Sequence, residues 1–259
     1  MTDRPRVSVC MATFNGAQYV EAQLASILEQ LEPGDEVVVV DDASTDDTAD
    51  VVRAVDDPRI RLHRQPVNRG YAATFEAALG RATGEHLVLS DQDDLWPPGR
   101  LAVLQAGLAH APVVAGNIRD LGTDAPLSGP YGQRAWRLPR DPSRRVRILT
   151  GLALSNVPYF GSAMALRADF LPVVLPYPAS ARELPDAWIA INALLRGSIV
   201  HLDEDVVLRR VHGGNASGTV RSPGAVLRGR LLFLGMLREA VRRRRAEGQP
   251  RSLAWKSRP

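Results

Sequence analysis

The sequence contains one cysteine in 259 residues, so no disulfide bond can form within the chain. Cys10 lies inside an apolar run, and we therefore expect a reducing compartment. The first residues lead into this run without the apolar segment of a signal peptide, which argues against export. The apolar run at 231–237 is far shorter than the ~20 residues that a helix needs to cross a bilayer. We expect a cytoplasmic protein without a transmembrane anchor.

Two phosphate-binding patterns are also missing. The turn after the first predicted strand lacks the G-x-G-x-x-G pattern that brings a dinucleotide pyrophosphate close to a helix N-terminus. The same turn lacks the lysine of a P-loop. A dinucleotide enzyme and a P-loop nucleotidase are therefore poor fits.

Charge is distributed unevenly along an otherwise ordinary globular composition of 45% hydrophobic and 24% charged residues. Residues 221–259 contain eleven Lys or Arg and two Glu, a net charge of +9, which leaves −6 for the rest of the chain. We predict one compact domain over residues 1–220 and a basic C-terminal helix and tail over residues 221–259.

Short apolar runs alternate with amphipathic stretches along the first half of the chain. The pattern predicts strands at 7–12, 36–40, 60–63 and 86–90, with helices at 19–30, 46–55 and 71–82 between them. Right-handed crossovers then give an α/β fold with a mostly parallel sheet and helices on both faces.

The second half of the chain is less regular. A Gly- and Pro-rich region at 122–140 predicts a loop or a lid. The remaining elements are a helix after Pro97 and Pro98, helices at 144–153 and 185–196, and strands at 113–115, 162–166, 199–202 and 206–211.

An apolar run at 87–89 ends in three carboxylates within four positions, namely Asp91, Asp93 and Asp94. Neighbouring like charges raise a carboxyl pKa unless a cation or hydrogen bonds compensate, so such a cluster favours a metal site. The alternative is a solvated loop or a helix cap.

Polar residues follow three more elements at the same edge of the predicted sheet, at 12–16, 41–42 and 68–70. A nucleotide diphosphate fits this set, because a carboxylate such as Asp42 can accept a pyrimidine imide N–H and Asp93 can hold a divalent ion on the phosphates. Small residues near Thr13 leave room for the base. Only one of the adjacent Asp41 and Asp42 can point into the crevice, and we expect Asp42.

These motifs resemble those of family 2 glycosyltransferases of the GT-A fold. The matching segments are VSVCMATFN (7–15), VVDDASTD (39–46), NRG (68–70), SDQDDLW (90–96), GSAMA (161–165) and LRRVHGGN (208–215). The SDQDDLW form is most similar to the rhamnosyltransferase-like branch. The resemblance implies a Rossmann-like nucleotide-binding half joined to an acceptor-side half.

The resemblance also implies a role for each matching residue. Asp186 is the expected catalytic base. The expected metal ligands for Mg²⁺ or Mn²⁺ are Asp91, Asp93 and His212. The diphosphate or closing-loop residues are Arg210, His212 and Asn215. The nucleotide-binding residues are Ala12, Thr13, Asn15, Asp42, Asn68, Arg69 and Asp91.

The chain differs from this branch around the expected base. The branch usually has His before the base and an aromatic residue after it, where this chain has Pro185 and Ala187, and Arg209 replaces a usual Tyr. Pro185 at the first helical position still places Asp186 in the first turn, where the helix dipole favours a carboxylate. Asp186 could instead only cap its helix, and His212 could be a surface turn residue.

The resemblance implies an inverting, metal-dependent glycosyltransferase of cell-surface polysaccharide synthesis. The expected donor is a dTDP-, UDP- or GDP-sugar, with rhamnose favoured by the branch, and the expected acceptor is a saccharide or a polyprenyl-linked sugar. The alternatives are a catalytically impaired nucleotide-sugar-binding module and a sugar nucleotidyltransferase, although the latter would carry a glycine-rich triphosphate loop after the first strand.

The tail has apolar residues at helical spacing beside many arginines, namely Leu227, Leu231, Leu234, Leu237 and Val241. This is the pattern of a basic amphipathic helix on an anionic membrane surface, and it favours a peripheral location on the inner face of the cell membrane. The alternative is a helix packed on the catalytic domain. Nucleic acid is not expected as a partner, since no aromatic platform accompanies the basic run.

Overall fold

The computed structural model describes residues 4–212 and 223–247 and is centred on one seven-stranded sheet. Its strands are β1 (Val7–Thr13), β2 (Glu36–Asp41), β3 (Ile60–Arg64), β4 (His86–Asp91), β5 (Val113–Asp120), β6 (Met164–Arg167) and β7 (Ile199–Arg209). Their order across the sheet is β3-β2-β1-β4-β6-β5-β7. β6 runs antiparallel to β4 and β5, whereas the other neighbouring strands are parallel. The predicted mostly parallel α/β sheet is confirmed.

Helices cover both faces of this sheet. They are α1 (Ala17–Leu28), α2 (Thr48–Ala54), α3 (Tyr71–Leu79), α4 (Arg100–Leu108), α5 (Arg145–Ala153), α6 (Leu171–Val174), α7 (Pro185–Arg196) and α8 (Pro223–Glu247). Strand side chains alternate between the faces, so Val9 and Met11 share a core with Leu24 of α1, whereas Cys10 packs in the opposite core with Phe75 of α3. All of these side chains are buried.

The sheet differs from the predicted elements in its second half. The predicted strands at 199–202 and 206–211 are one strand, β7, because Asp203 and Glu204 lie exposed on an edge strand instead of forming a turn. β5 continues beyond the predicted 113–115. Gly116 packs closely against Val206 of β7, because a Cβ atom on Gly116 would lie only 2.5 Å from Val206 Cγ2. The predicted strand at 162–166 begins with a 3-10 turn, Gly161–Ala163.

The predicted basic C-terminal helix is present as α8, and one of its faces packs on the α/β core. Phe233, Met236 and Ala240 are buried in the core next to α7. The Arg243 guanidinium lies 5.0 Å from the ring centre of Trp188, which is buried in the core. No described helix is long and apolar enough to span a membrane. The predicted boundary at 220/221 lies outside the described residues and stays a prediction.

Gly84, just before β4, lies against the backbone of β1. A Cβ atom there would lie 2.6 Å from the backbone nitrogen of Ser8 and 2.8 Å from the carbonyl carbon of Val7. We expect Gly84→Ala to lower the free energy of unfolding by about 3 kcal/mol, because a clash with sheet backbone cannot relax locally. Urea unfolding measures this. Gly229→Ala, in α8 with no atom within 4 Å of the new methyl group, serves as the control and should be neutral or slightly stabilising. Equal stabilities of the two variants would contradict the prediction.

Candidate active site

Three carboxylates meet where β4 ends. Asp91 is the last residue of β4, and oxygen atoms of Asp91, Asp93 and Asp94 lie within 4.8 Å of one another. Carboxylate oxygens at this spacing suit a hard divalent cation such as Mg²⁺ or Mn²⁺. The predicted ligand His212 lies beside this cluster, with its Nε2 atom 2.9 Å from Asp93 Oδ2. The structure adds Asp94, which was not among the predicted ligands.

The three carboxylates repel one another electrostatically. Burial and then the charge of Asp93 raise the pKa of Asp91 to about 6, while Arg209 opposes the shift. Burial and then the charges of Asp91 and Asp93 raise the pKa of Asp94 to about 8. A divalent cation between these oxygens would offset both the burial of the carboxylates and the repulsion between them, which together raise the two pKa values. The donor set therefore fits a metal ion.

A buried arginine lies behind the acid cluster. Arg100 of α4 is 2% exposed, donates hydrogen bonds to the carbonyl oxygens of Leu89 and Ser162, and lies 4.3 Å from the ring centre of Trp96. Burial lowers the pKa of Arg100 to about 9, and the charges of Asp94 and Asp91 act in the opposite direction. Arg100 therefore supplies positive charge on the protein side of the cluster.

Asp42 joins the loop after β2 to the loop before α3. Its Oδ1 atom accepts hydrogen bonds from the backbone N–H of Arg69 at 2.8 Å and from Gln65 Nε2 at 3.1 Å, and its Oδ2 atom accepts one from the Gly70 N–H at 2.8 Å. The predicted residues Asp42 and Arg69 are thus in contact. Asn68 is exposed beside them, and its Oδ1 atom accepts from the Gly70 N–H at 3.2 Å.

Asp41 supports the turn after β2. Its carboxylate accepts hydrogen bonds from Thr13 Oγ1 at 3.2 Å, from the Ser44 N–H at 3.1 Å and from the Ser44 hydroxyl. Ala43 in this turn has a φ of 58°, in the left-handed region. Asp41 is completely buried and engaged within the protein.

Hydrogen bonds to Thr45 and to Gln92 hold the loop after β1. Asn15 Oδ1 accepts a hydrogen bond from the Thr45 N–H at 2.8 Å. The Gln92 side chain accepts from the Phe14 N–H at 2.9 Å and donates to the Phe14 carbonyl at 3.0 Å. Sheet register places Ala12 beside Asp91. The predicted nucleotide-binding residues of this loop are thereby brought to the edge that carries the acid cluster.

Asp186 lies in the first turn of α7, as predicted, and is partly buried. A Cβ atom on Gly161 would lie 3.9 Å from Asp186 Cβ and 3.9 Å from Leu89 Cδ1, so this turn packs between α7 and β4. Asp186 Oδ1 accepts a hydrogen bond from the Ala187 N–H at 2.7 Å. This arrangement puts the Asp186 carboxylate near the end of β4, where its charge acts on Asp91.

Tyr71, the first residue of α3, connects the two halves. Its hydroxyl donates to the Glu183 carbonyl oxygen, three residues before Asp186. Partial burial and then the charges of Asp186, Glu183 and Asp91 raise the pKa of the Tyr71 phenol. The phenol therefore lies close enough to the acid cluster and to the candidate base for their charges to raise its pKa.

The segment after β7 lies on a tyrosine platform. The His212 ring stacks on the Tyr19 ring, with 4.8 Å between centres and 23° between planes, and the Arg210 guanidinium lies 5.4 Å from the same ring. The Arg210 backbone N–H donates to Asp94 Oδ1 at 3.2 Å. Arg210 and His212 are thus brought to the acid cluster, whereas Asn215 lies outside the described residues.

The sequence matches the family model described as "Glycosyl transferase family 2" over residues 8–168, more than half of the chain. The chain belongs to glycosyltransferase family 2. The match ends shortly after β6, so it includes the acid cluster but not Asp186 or the segment after β7.

Relatives of this family 2 glycosyltransferase include an uncharacterised glycosyltransferase of Nostoc sp., which is 30% identical and aligns over 81% of this chain and 66% of its own length. The putative teichuronic acid biosynthesis glycosyltransferase TuaG of Bacillus subtilis is 36% identical over 38% of this chain and 40% of its own length. WfaP of Escherichia coli, a UDP-Glc:alpha-D-GlcNAc-diphosphoundecaprenol beta-1,3-glucosyltransferase, is 33% identical over 35% of this chain and 36% of its own length. The chain thus spans less than two thirds of each of these relatives.

Solved structures show the same fold. TarS 1-349 of S. aureus in complex with UDP-GlcNAc superposes with a TM-score of 0.66 at 20% identity, covering 93% of this chain and 73% of that one. The mannosyltransferase PcManGT of Pyrobaculum calidifontis, in complex with GDP-Man and Mn²⁺, gives a TM-score of 0.59 at 22% identity, covering 96% and 77%. The predicted GT-A fold is confirmed.

Sequence reasoning missed several residues that this family 2 glycosyltransferase places around the site. Asp94 was part of the acid run and could have been included from the sequence. Gln92 lies inside the SDQDDLW segment, but its hydrogen bonds to Phe14 were not evident from the sequence. The roles of the others depend on contacts between distant segments. They are Tyr19, Tyr71 and Arg100.

Proposed function

We propose that this chain transfers a sugar from a nucleotide-diphosphate donor to a hydroxyl acceptor, with inversion at the anomeric carbon and with Mg²⁺ or Mn²⁺ bound at Asp91 and Asp93. The observation that carries the proposal is the cluster of Asp91, Asp93 and Asp94 at the end of β4, beside the loops after β1 and β2. When bound there, the cation supplies Lewis-acid stabilisation of the departing diphosphate.

The nucleotide would bind along the edge formed by the loops after β1 and β2. Asp42 is 2% exposed and orders the N-terminal end of α3 through the backbone N–H groups of Arg69 and Gly70, so it would shape the edge on which the base lies. The nucleotide-binding set remains Ala12, Thr13, Asn15, Asp42, Asn68, Arg69 and Asp91. Arg210 and His212, and Asn215 further along the chain, would close over the diphosphate, with Arg210 adding positive charge near its oxygens.

Asp186 would take the proton of the acceptor hydroxyl as that oxygen attacks the anomeric carbon. Its origin in the acceptor-side half, near the end of β4, supports a position opposite the leaving group. A single displacement of this kind inverts the anomeric centre. Positioned proton abstraction typically contributes about 10²- to 10⁴-fold to a rate, so electrostatics and orientation supply the remainder.

The acceptor would be a saccharide or a polyprenyl-linked sugar in cell-surface polysaccharide synthesis, with the protein peripheral on the inner face of the cell membrane. Two relatives support this, since the name of one describes teichuronic acid biosynthesis and that of the other a diphosphoundecaprenol substrate. The donor would be a dTDP-, UDP- or GDP-sugar, and dTDP-rhamnose is one of the sugars to be tested.

A donor panel tests the proposal. The chain is incubated with dTDP-, UDP- and GDP-sugars in Mg²⁺, Mn²⁺ or chelator, and release of the nucleoside diphosphate is followed with and without a saccharide acceptor. We expect turnover with one nucleotide class, dependent on the metal. Tight nucleotide binding without turnover of any donor would contradict the proposal and favour a catalytically impaired module, consistent with Pro185 and Ala187 beside the base.

Tyr19 allows a test of the closing segment. Tyr19→Ala removes the ring on which His212 and Arg210 lie, whereas Tyr19→Phe keeps it. Stacking and cation–π contacts together contribute about 1–2 kcal/mol, so we expect the Kd of the nucleoside diphosphate to rise roughly five- to thirtyfold in Tyr19→Ala and to stay near the parent value in Tyr19→Phe.

Isothermal titration measures these Kd values, and Val146→Ala on α5 provides the control, since Val146 is 80% exposed. A Tyr19→Ala variant that binds as the parent does would show that the platform has no part in donor binding.

A further inference from the structure

The face of α8 that does not pack on the protein carries an apolar stripe that continues into arginines. Residues at alternating spacings of four and three form this face: Leu227, Leu231, Leu234, Arg238, Val241 and Arg245. Leu227 is 59% exposed, Leu231 61% and Leu234 48%, whereas Phe233 and Met236 on the other face are buried. The exposed leucines therefore add nothing to the core.

Two arginines of this face have no acidic partner among the residues that the structure describes. Arg238 and Arg245 form no ion pair with any residue in 4–212 or 223–247. The C-terminal half of α8 presents Arg238, Val241, Arg242 and Arg245 on its outer surface. The face therefore presents arginine guanidinium groups next to exposed leucine side chains. A partner that offers anionic groups above an apolar layer would complement both.

A second copy of α8 fits this face poorly. A parallel copy would place arginine against arginine, and an antiparallel copy would place arginine against leucine. An anionic lipid surface meets both needs at once, because headgroup phosphates pair with the arginines while the leucines enter the acyl boundary.

We propose that the exposed face of α8 docks on an anionic lipid bilayer, with the acceptor side of the active site at the lipid surface. The N-terminal part of α8 lies near the candidate base, because the Arg228 guanidinium pairs with the carboxylate of Glu183, three residues before Asp186. The Tyr71 hydroxyl holds the carbonyl of the same Glu183. The inference deepens the proposed function, on which the assignment of Asp186 to the acceptor side rests.

Vesicle co-sedimentation of the full chain tests the docking. Vesicles of phosphatidylcholine alone are compared with vesicles that also contain phosphatidylglycerol, at low and high salt. We expect binding to the anionic vesicles that weakens with salt. Each arginine near an anionic surface contributes about fivefold in affinity, so the charge reversal Arg238→Glu/Arg245→Glu should weaken binding at least tenfold. The apolar variant Leu231→Gln/Leu234→Gln should weaken it about tenfold.

Matched controls are Leu154→Gln, with a similarly exposed leucine outside α8, and Arg81→Glu/Arg134→Glu, which changes the charge equally on other surfaces. Both should bind as the parent does. Failure of the parent to bind anionic vesicles at low salt would overturn the inference, as would α8 variants that bind like the controls. A parent dimer that Leu231→Gln/Leu234→Gln dissociates, with no vesicle binding, would identify a second copy as the occupant.

Donor hydrolysis without vesicles separates this inference from the proposed function. The α8 variants should hydrolyse the donor at the parent rate, which also shows that they fold. Vesicle binding by a parent that turns over no donor would support the docking and contradict the proposed function.

Discussion

Asp93→Asn is expected to lower kcat/KM for the donor by at least about 10³, because Lewis-acid stabilisation of a departing diphosphate is worth several kcal/mol. Asparagine keeps the size of the side chain and removes its charge, so one of the two proposed carboxylate ligands is weakened. The rate of nucleoside diphosphate release over a range of Mn²⁺ concentrations measures the effect. Asp203→Asn on β7, where the side chain is 68% exposed, is the control.

The stability of Asp93→Asn shows whether the loss of activity comes from a functional or a structural role of Asp93. Asp93 contributes to the raised pKa values of Asp91 and Asp94, so removing its charge relieves repulsion in the folded protein. Asparagine also keeps an oxygen that can accept a hydrogen bond from His212 Nε2, so we expect the free energy of unfolding without metal to change little. Loss of activity together with a large loss of stability would point to a structural role instead.

Asp186→Asn is expected to lower kcat by about 10²- to 10⁴-fold while leaving the Kd of the nucleoside diphosphate within about twofold of the parent value. Asparagine still accepts the hydrogen bond from the Ala187 N–H, so helix α7 keeps its first turn. The charge lost at the helix N-terminus costs at most about 1 kcal/mol of stability.

Single-turnover transfer to a saccharide acceptor measures the chemical step, and Asp169→Asn is the control, since Asp169 is 63% exposed and paired with Arg167. A kcat equal to that of the parent would limit Asp186 to its structural role at the start of α7.

Most of the first half of the fold was predictable because β1, β2 and β4 are short apolar runs bounded by polar residues. Such runs are buried on both faces of a parallel sheet, and β4 ends where its apolar run meets Asp91. The edge strand β7 was not predictable in the same way. Its acidic residues face solvent, and the sequence pattern of an exposed strand resembles that of a turn.

The same distinction applies to the residues of the candidate site. Asp42, Asp91 and Asp93 were identifiable because carboxylates at strand ends share one sheet edge. Tyr19 and Gln92 were not, since stacking on His212 and the paired hydrogen bonds to Phe14 connect segments far apart in the sequence. One sequence carries local periodicity but no direct record of such long-range contacts.

The coupling between metal and nucleotide binding tests the central claim most directly. Calorimetric titration of the nucleoside diphosphate identified by the donor panel is performed with and without Mn²⁺, for the parent and for Asp93→Asn. If the cation bridges the acid cluster and the diphosphate, each ligand strengthens the other. We predict that Mn²⁺ tightens nucleotide binding by at least about tenfold in the parent and has little effect in Asp93→Asn. A nucleotide Kd that is the same with and without metal in the parent would contradict the account.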